Sequence, residues 1–589
     1  MSARRWIQGG ALAAIAAVVV VAWSRTRPEV AEAYVGSDSC KGCHAKEHEL
    51  WLSSDHRHAL HRADDNPLKP RFEGEAEGVT PAYAMGWRPL QQVLVAGKDG
   101  RWQASPIAWD PAKLEWFHVF ADVPEAERPG WEDPALNANL MCLECHVTDY
   151  RKGYDRATGR YATTWKEEGV GCEACHGPGA RHVDWAKRGG GGEARIVAPK
   201  RLAADRALDL CATCHARRYA IADGFRPGDR LADFYAPELL VSEEAYHADG
   251  QIRGETYEYG SFLQSRMYAK GVRCSDCHEP HSGAVREQGN GLCLKCHKPE
   301  LDAPSHHFHA AGSAGAACVG CHMPETTYMQ RDPRRDHSFS VPSPESTIRW
   351  VVPNACNRCH TDKTAEWAAG HVERWYGRQE PLRGRRAAAF AALRRGEAGE
   401  AHQVLADEGE QPVARAALAE LLGSHAGEAG IVEALIATLH DGDPLVRAGA
   451  LSRLPNPPPE ALLEASSPLL RDPVRLVRVR AAWALRAARP ERFEGWVAAQ
   501  EEFARQAEAS PDNADVQFNL GVFWEDRAEP GKAETAYADA LRIEPASVPA
   551  LFNRAMVLHR LGRKDEGEAL WKEAVRLDPS LPSRVKEPR

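Results

Sequence analysis

Hydrophobic and polar residues follow three different patterns along the chain. Residues 7–23 form an apolar run behind Arg4 and Arg5, and this run has no polar face. Residues 34–377 contain a stretch of strand-like segments and otherwise short segments between glycines and prolines. Beyond residue 377 alanine, leucine and arginine become frequent and apolar helical stretches recur. The pattern predicts an export segment, an irregular domain and a helical tail, and so a mainly α fold.

The N-terminal apolar run has 17 residues, which is the short limit for a membrane span, and its basic start is typical of a secretory signal. Residues 31–33 fit a cleavage site, but they lie beyond Arg25 and Arg27, which is unusual for a removed peptide. Residues 1–33 are therefore interpreted as either a signal peptide or an uncleaved inner-membrane anchor. A buried N-terminal helix is the third reading, and the missing polar face argues against it. Both export readings place the rest of the chain in the periplasm.

A small β element is predicted between residues 93 and 120. Residues 93–95 and 102–104 are strand-like and flank a polar turn at residues 98–101. Residues 116–120 add a further candidate strand.

The first part of the tail, residues 383–500, shows a degenerate repeat. Pro412, Pro444 and Pro473 each open an apolar helical stretch, and an arginine recurs at positions 415, 447 and 478. These offsets of 32 and 31 residues resemble HEAT-like helical repeats, which stack because one helix pair cannot bury its own apolar face.

The second part, residues 501–589, has a cleaner period of 34 residues. Pro511, Pro545 and Pro579 share it, as do the pairs Phe518 and Phe552, Asn519 and Asn553, and Ala540 and Ala574. This is the tetratricopeptide period. The tail is therefore predicted to be an α-solenoid that folds without a cofactor, either as plain scaffolding or as a surface for protein docking.

Composition adds two constraints to this picture. A chain of 589 residues with 43% hydrophobic and 27% charged residues is globular, and its net charge of −9 gives no support to nucleic-acid binding. Its 16 cysteines are unusual for a cytosolic protein, and a disulfide-stapled protein is usually far shorter.

All 16 cysteines belong to eight C-x-x-C-H motifs, and this spacing has a chemical reason. Two thiols three residues apart can add to the two vinyl groups of haem, and the adjacent histidine then reaches the iron. Zinc sites need no histidine at that position, so zinc and disulfide alternatives are disfavoured. No motif ends in lysine. We number the motifs one to eight; they predict eight covalently bound c-type haems at Cys40, Cys43 and His44; Cys142, Cys145 and His146; Cys172, Cys175 and His176; Cys211, Cys214 and His215; Cys274, Cys277 and His278; Cys293, Cys296 and His297; Cys318, Cys321 and His322; and Cys356, Cys359 and His360.

The motifs are dense, with eight in the 344 residues from 34 to 377. So little chain per haem leaves little room for an ordinary core, so haem rings and aromatic side chains must supply the apolar interior. Eleven of the 17 tryptophans lie in this stretch, which fits ring packing. A short helix is expected at each motif.

Thirteen histidines in the same stretch lie outside the motifs and form eight groups, which suggests a second axial ligand for each iron. His56 is the choice in the first group, with His58 and His61 as spares. His281 lies three residues after His278, too close to bind the opposite face of the same iron, so it should serve another haem. His182 follows a Gly-Pro-Gly turn and should serve a neighbour. The predicted ligands are His56, His118, His182, His247, His281, His307, His309, His337 and His371, with the choice among residues 306, 307 and 309 open.

Several segments resemble the cytochrome c-554-like multihaem cytochromes that carry a C-terminal tetratricopeptide region. The resemblance covers residues 34–377 well and the tail loosely. It implies periplasmic electron transfer through closely stacked haems, and it does not imply particular partners. Octahaem enzymes share the motif count, but their special residues cannot be mapped here. The similar segments are residues 34–36, 87–92, 171–179, 246–250, 335–339 and 353–356.

Three functions follow from these observations. The first and favoured one is an electron conduit between redox partner proteins, with low-spin haems that leave no substrate site. The second is an octahaem oxidoreductase that acts on a small nitrogen or sulfur compound at one open haem. The third is an assembly scaffold in which the helical repeats matter most. No phosphate loop, dinucleotide motif or Ser-His-Asp arrangement indicates another class of enzyme.

Overall fold

The computed structural model of this chain describes residues 31–65, 81–377, 383–488 and 490–585. The apolar N-terminal run lies outside these ranges, whereas the proposed cleavage site at residues 31–33 lies within them. Within them, no helix combines the length and the apolar character needed to cross a membrane.

An antiparallel sheet follows motif one, with its five strands in sequence order. The predicted hairpin is present: Val95 pairs with Gln103, and the turn between them contains Asp99 in the left-handed region at φ 59°. The sheet is larger than the sequence pattern predicted, since two further strands, residues 60–62 and 81–85, precede the predicted ones. Its strands are β1 (Leu60–Arg62), β2 (Pro81–Met85), β3 (Gln91–Ala96), β4 (Trp102–Asp110) and β5 (Glu115–His118).

One face of this sheet holds motif two in place. Leu60, Leu94 and Ala104 are buried in a small core with Leu143 and Val147, which lie inside and directly after motif two. The sheet is therefore the wall against which the second motif packs.

The remaining strands of the haem-motif region form four two-stranded sheets. They are β6 (Val147–Thr148) with β9 (Glu167–Glu168), β7 (Tyr154–Asp155) with β8 (Arg160–Tyr161), β10 (Arg218–Ala220) with β11 (Tyr235–Pro237), and β12 (Glu325–Tyr328) with β13 (Asp332–Arg335).

Short helices occupy motifs two to eight in whole or in part, as expected from the cysteine spacing. The expectation is wrong for motif one, where residues 40–43 form a turn and the first helix begins only at Ala45, directly after His44. Between residues 45 and 377 the helices are α1 (Ala45–Leu52), α2 (Ala138–Met141), α3 (Leu143–His146), α4 (Cys172–His176), α5 (Ala180–Lys187), α6 (Ala204–His215), α7 (Tyr259–Phe262), α8 (Arg266–Ala269), α9 (Cys274–Cys277), α10 (Gly291–Leu294), α11 (Pro304–His307), α12 (Cys318–His322), α13 (Pro344–Trp350), α14 (Cys356–Cys359) and α15 (Ala365–Tyr376).

The described part of the tail consists of helices joined by turns and loops, and neighbouring helices pack on each other. The arginines that recur in the HEAT-like region join neighbouring helical units. Arg447 binds Asp472 at 2.8 Å, and Arg478 binds Glu502 at 2.7 Å. The helices are α16 (Gly384–Arg394), α17 (Ala401–Leu405), α18 (Pro412–Gly423), α19 (Ile431–Thr438), α20 (Pro444–Ser452), α21 (Glu460–Ser466), α22 (Arg475–Leu485), α23 (Trp496–Ala509), α24 (Ala514–Asp526), α25 (Pro530–Ile543), α26 (Val548–Arg560), α27 (Lys564–Leu577) and α28 (Leu581–Arg584).

The first tail helices share one hydrophobic core with the haem-motif region. This core includes Ile221 and Tyr246 on one side and Phe390 and Leu418 on the other. At its polar edge the guanidinium of Arg386, 2% exposed, donates to Gln264 at 2.8 Å and to the carboxylate of Glu410. The residues around 383 are thus part of a continuous interior.

The Arg386 cluster provides a test of this shared core. Replacing Arg386 with alanine leaves the Glu410 carboxylate and the Gln264 amide without their partner, and should lower the free energy of unfolding by about 3–5 kcal/mol. The neighbouring Arg385→Ala removes an exposed ion pair with Asp407 and should change it by less than about 1 kcal/mol. Denaturant unfolding followed by far-UV circular dichroism measures both; equal stability of the two variants would contradict the buried role.

Candidate haem-binding site

A single continuous cavity runs through the haem-motif region. Its volume is about 3830 Å³, and residues of all eight motifs line it. Typical small-molecule pockets measure about 300–1,000 Å³, so this cavity has room for several large groups. The thiols and imidazoles that face it are the donor set of covalent haem, and the residues present therefore fit that cofactor.

Most motif histidines are held by their Nδ1 atom, which leaves Nε2 directed to the cavity. Nδ1 of His146 donates to the carbonyl of Ala59 at 2.7 Å, and Nδ1 of His322 donates to that of Ser340 at 2.9 Å. His176 and His278 are anchored in the same way on Val197 and Gly283. A proton fixed on Nδ1 keeps the lone pair of Nε2 free for a metal.

His215 has a stronger anchor, because its Nδ1 lies 2.8 Å from the carboxylate of Glu258. Burial alone would lower the pKa of His215, but the hydrogen bond and charge of Glu258 outweigh it and raise this pKa to about 9. An acceptor of this strength makes the imidazole a more basic ligand.

Five motif histidines face a second histidine across the cavity. With a metal–imidazole bond of about 2.0–2.1 Å, two imidazoles on opposite sides of one metal have ring centroids roughly 6–6.5 Å apart. Five pairs have this spacing: His44 with His182 at 6.3 Å, His215 with His56 at 6.3 Å, His278 with His337 at 6.4 Å, His322 with His306 at 6.3 Å, and His360 with His309 at 6.2 Å.

The pairing crosses long stretches of sequence. His182 lies opposite motif one, although motif three is nearer in the chain, and His56 lies opposite motif four. His281 lies near His176 of motif three rather than opposite its neighbour His278, and its Nδ1 is bound by Glu279 at 2.9 Å. The expectation that His182 and His281 serve other haems agrees with this arrangement.

The sequence leaves the choice among residues 306, 307 and 309 open, and the structure places His306 opposite His322. Helix α11 ends here, and Phe308 adopts the left-handed conformation at φ 57°, which directs His306 and His309 to different motifs. The three histidines at residues 306, 307 and 309 indicated a ligand in this segment. The sequence could not show that two of them, His306 and His309, face different motifs.

Five predicted ligands, His118, His247, His281, His307 and His371, are not brought opposite a motif histidine at the spacing of these pairs in the described part of the chain. His118 lies on β5, and its Nδ1 accepts a hydrogen bond from the Phe120 amide at 3.1 Å, so the ring proton belongs on Nε2. His307 likewise accepts from the His309 amide. His371 packs on Trp367, with ring centroids 4.4 Å apart. His247 and His118 are not among the residues lining the cavity.

Contacts between cysteines give the spatial order of the motifs. Thiols of motifs one and three, two and four, four and five, and six and seven lie close enough for one thiol to shift the pKa of the other. Weaker effects of the same kind connect motif three with four, five with six, and seven with eight. Motifs one, three, four, five, six, seven and eight therefore form one row, and motif two branches from motif four.

Three sequence-family models match parts of the chain. "Cytochrome c554 and c-prime" matches residues 123–177, "Cytochrome c552" matches residues 287–418, and the doubled CXXCH motif matches residues 267–302. Together with the motifs and the cavity, these matches support a multihaem c-type cytochrome with covalently bound haem.

Two curated proteins are similar over part of their length. Cytochrome c nitrite reductase subunit NrfA of Nitratidesulfovibrio vulgaris is 24% identical over 35% of this chain and 35% of its own length. Multihaem cytochrome MtrA of Shewanella baltica is 24% identical over 38% of this chain and 52% of its own. The matched region thus spans about a third and about a half of these relatives.

Two solved structures overlap with the fold. Outer cell wall cytochrome OcwA covers 71% of this chain and 99% of its own, at 20% identity and a TM-score of 0.44. The undecahaem cytochrome from the S-layer of Carboxydothermus ferrireducens covers 73% of this chain and 70% of its own, at 18% identity and a TM-score of 0.34.

The histidine pairs predict which substitutions open an iron. His182→Ala and His337→Ala should each create one additional high-spin haem, because each removes the ring opposite a motif histidine. His118→Ala is the matched control and should leave the spin state unchanged, since Nδ1 of His118 is engaged by the backbone. Electron paramagnetic resonance of the oxidised protein counts the high-spin signal; a new signal in the control alone would refute the pairing.

The Glu258 contact predicts a change in reduction potential. Glu258→Gln removes the negative acceptor on His215, makes that ligand less basic, and should raise the potential of one haem while the others stay in place. Glu279→Gln, which alters the equivalent contact on His281, should shift a different haem. Spectroelectrochemical titration compares the two variants, and an identical titration curve for Glu258→Gln and the parent protein would contradict the role.

Proposed function

We propose that this chain relays electrons through eight covalently bound haems that form a row of seven with one branch. The observation that carries the proposal is the order of motif contacts, in which each motif of the row meets the next. Attachment cysteines in contact place the edges of their haems side by side. Five irons with two histidines each are closed to substrate, so their electrons leave through the haem edge.

The ends of the row reach the protein surface. Cys43 of motif one and Cys359 of motif eight are exposed, whereas the cysteines of motifs three, four and five are partly buried. Redox partner proteins would therefore exchange electrons at motifs one and eight. Motif six is a further exposed point along the row, because Cys296 is also exposed.

The helical tail is proposed as HEAT-like repeats at residues 383–500 and tetratricopeptide repeats at residues 501–589, behind a haem domain at residues 34–377. Its support is the sequence period together with the pairwise packing of α24 to α27. The tail also contacts the haem domain, where Lys152 binds Asp512 at 2.7 Å. We propose that its outer face docks a protein partner and keeps that partner beside the row of haems.

An extracytoplasmic location, in the periplasm, is part of the proposal. Covalent haem attachment takes place after the chain has crossed the membrane, and the apolar run at residues 7–23 supplies an export segment. Whether this segment stays as a membrane anchor is tested by the N-terminal sequence of the purified protein.

A second candidate function is an octahaem oxidoreductase, and one observation favours it. Among the described residues, no histidine ring faces His146, His176 or His297 at the spacing of the five pairs. An iron at motif two, three or six would therefore be the one to take a small ligand.

The number of haems is checked by mass. The denatured mature protein should exceed its polypeptide mass by eight haems, because 16 cysteines form eight complete motifs. Seven or fewer haems after full maturation would remove a motif from the proposal.

The row itself is tested by interrupting it. A light-activated ruthenium reductant is attached to a cysteine introduced at Lys46, near motif one. Replacing Cys293 and Cys296 with alanine removes the haem of motif six and should slow the reduction of the two haems beyond it by at least about tenfold. Replacing Cys142 and Cys145 removes the branch and should leave that rate unchanged. Equal rates in both variants would refute the row, and mass and circular dichroism confirm folding and haem loss in each.

A further inference from the structure

A buried arginine joins motif two to motif four. The side chain of Arg218 is 7% exposed, and its Nη1 donates to the carboxylate of Glu144, a residue inside motif two, at 3.0 Å. Its Nε donates to the carbonyl of Thr213, a residue inside motif four, at 2.6 Å. Its Nη2 lies 4.0 Å from Sγ of Cys145. One cation therefore contacts both motifs at the point where the branch leaves the row.

The two-stranded sheet of β10 and β11 fixes this arginine. Ala220 pairs with Tyr235 across the sheet, so Tyr235 lies on the same face as Arg218. The guanidinium lies 3.6 Å from the centre of the Tyr235 ring, and the Tyr235 hydroxyl donates to the second oxygen of Glu144 at 2.8 Å. A guanidinium stays charged in proteins, and a carboxylate with a donor on each oxygen is held in its ionised form.

Motifs two and four also touch each other at this place. Sγ of Cys145 lies 3.8 Å from the carbonyl of Thr213. Glu144 and Arg218 both line the cavity. Their charges therefore act on haems bound at the two motifs through an interior that the haems would fill, where little water remains to screen them.

The motif histidines on the two sides differ in their anchors. Nδ1 of His146 in motif two is held by the neutral carbonyl of Ala59. Nδ1 of His215 in motif four is held by the carboxylate of Glu258. A carboxylate makes the imidazole a more basic ligand, which favours ferric iron and lowers the reduction potential. Motif four is thus set below motif two, provided that no other negative charge acts on motif two.

We infer that Arg218 neutralises Glu144 and thereby keeps the reduction potential of the haem at motif two above that of the haem at motif four, so that electrons on the row settle on the branch. The step is a one-electron transfer: Fe(II) at motif four becomes Fe(III), and Fe(III) at motif two becomes Fe(II). This inference rests on the proposed function, since it requires covalent haems at both motifs. It gives the relay a direction at the branch.

Two charge changes test the pair in the full-length protein with its haems attached. A unit charge roughly 10 Å from a redox centre, at an effective dielectric constant of about 20, changes a one-electron equilibrium about tenfold, or about 59 mV. Arg218→Gln leaves Glu144 uncompensated and should lower the potential of motif two by about this amount. Glu144→Gln should raise it. Spectroelectrochemical titration measures both shifts, and the couple of motif two is the one missing in Cys142→Ala/Cys145→Ala.

Three further variants separate charge from packing. Arg218→Lys keeps the charge without the planar stack and should retain most of the parent potential. The double variant Glu144→Gln/Arg218→Gln restores neutrality, so its potential should return close to that of the parent protein. If Arg218→Gln does not fold, Glu144→Gln and the double variant still give the sign of the effect. Arg217→Gln is the matched control and should shift the couple far less, because Arg217 is half-exposed to water and paired with Glu238.

The order of the two potentials is checked with Glu258→Gln, which should raise a second couple that lies below the couple of motif two. A second couple that lies above it would overturn the direction of transfer. Shifts in the same direction for Arg218→Gln and Glu144→Gln would overturn the role of charge, since they would report disturbed packing. The proposed relay fails separately, through fewer than eight haems by mass or through equal reduction rates in the interrupted variants.

Discussion

The structure depends on one constraint: the apolar side chains of the haem-motif region pack in the core of the sheet and in the core shared with the tail, and they leave a large cavity unfilled. This cavity of about 3830 Å³ is walled by thiols, imidazoles and apolar side chains from all eight motifs. Protein interiors are close-packed, so such a volume is compatible with a folded protein only when large apolar groups fill it. Covalent haem supplies them. Short helices and long loops suffice for the chain, because the cofactors provide the packing that longer elements would otherwise make.

Backbone carbonyls and two carboxylates fix the imidazoles around this cavity. Ala59 holds His146, Val197 holds His176, and Glu258 holds His215, each through Nδ1. These anchors come from segments distant from the motif they serve, so each haem would tie separate parts of the chain together. Glu258 adds charge as well as orientation, and neighbouring haems can therefore differ in potential although their ligands are the same type of residue.

The helical tail is joined to this region in two ways. Its first helix shares the large hydrophobic core, where Phe390 is 1% exposed, and Arg386 adds a buried polar junction. Further along, Lys152 and Tyr161 of the haem-motif region both bind Asp512. A tail attached at both places has a fixed position relative to the row of motifs, which is the property that a docking platform for a redox partner requires.

The sequence by itself determined the attachment sites, because both thiols and the proximal histidine of a haem lie within five consecutive residues. It also determined the β hairpin around residues 98–101 and the helical character of the tail, since turns and apolar periods are local signals. Only the tertiary structure decided the opposite ligands. His182 faces His44 across 138 residues of sequence, His306 rather than His307 faces His322, and His118 turns its ring to the backbone. A distal ligand is chosen by which loop returns to which face of the cavity. That choice depends on packing between segments that are distant in the sequence, and a local sequence pattern does not encode such packing.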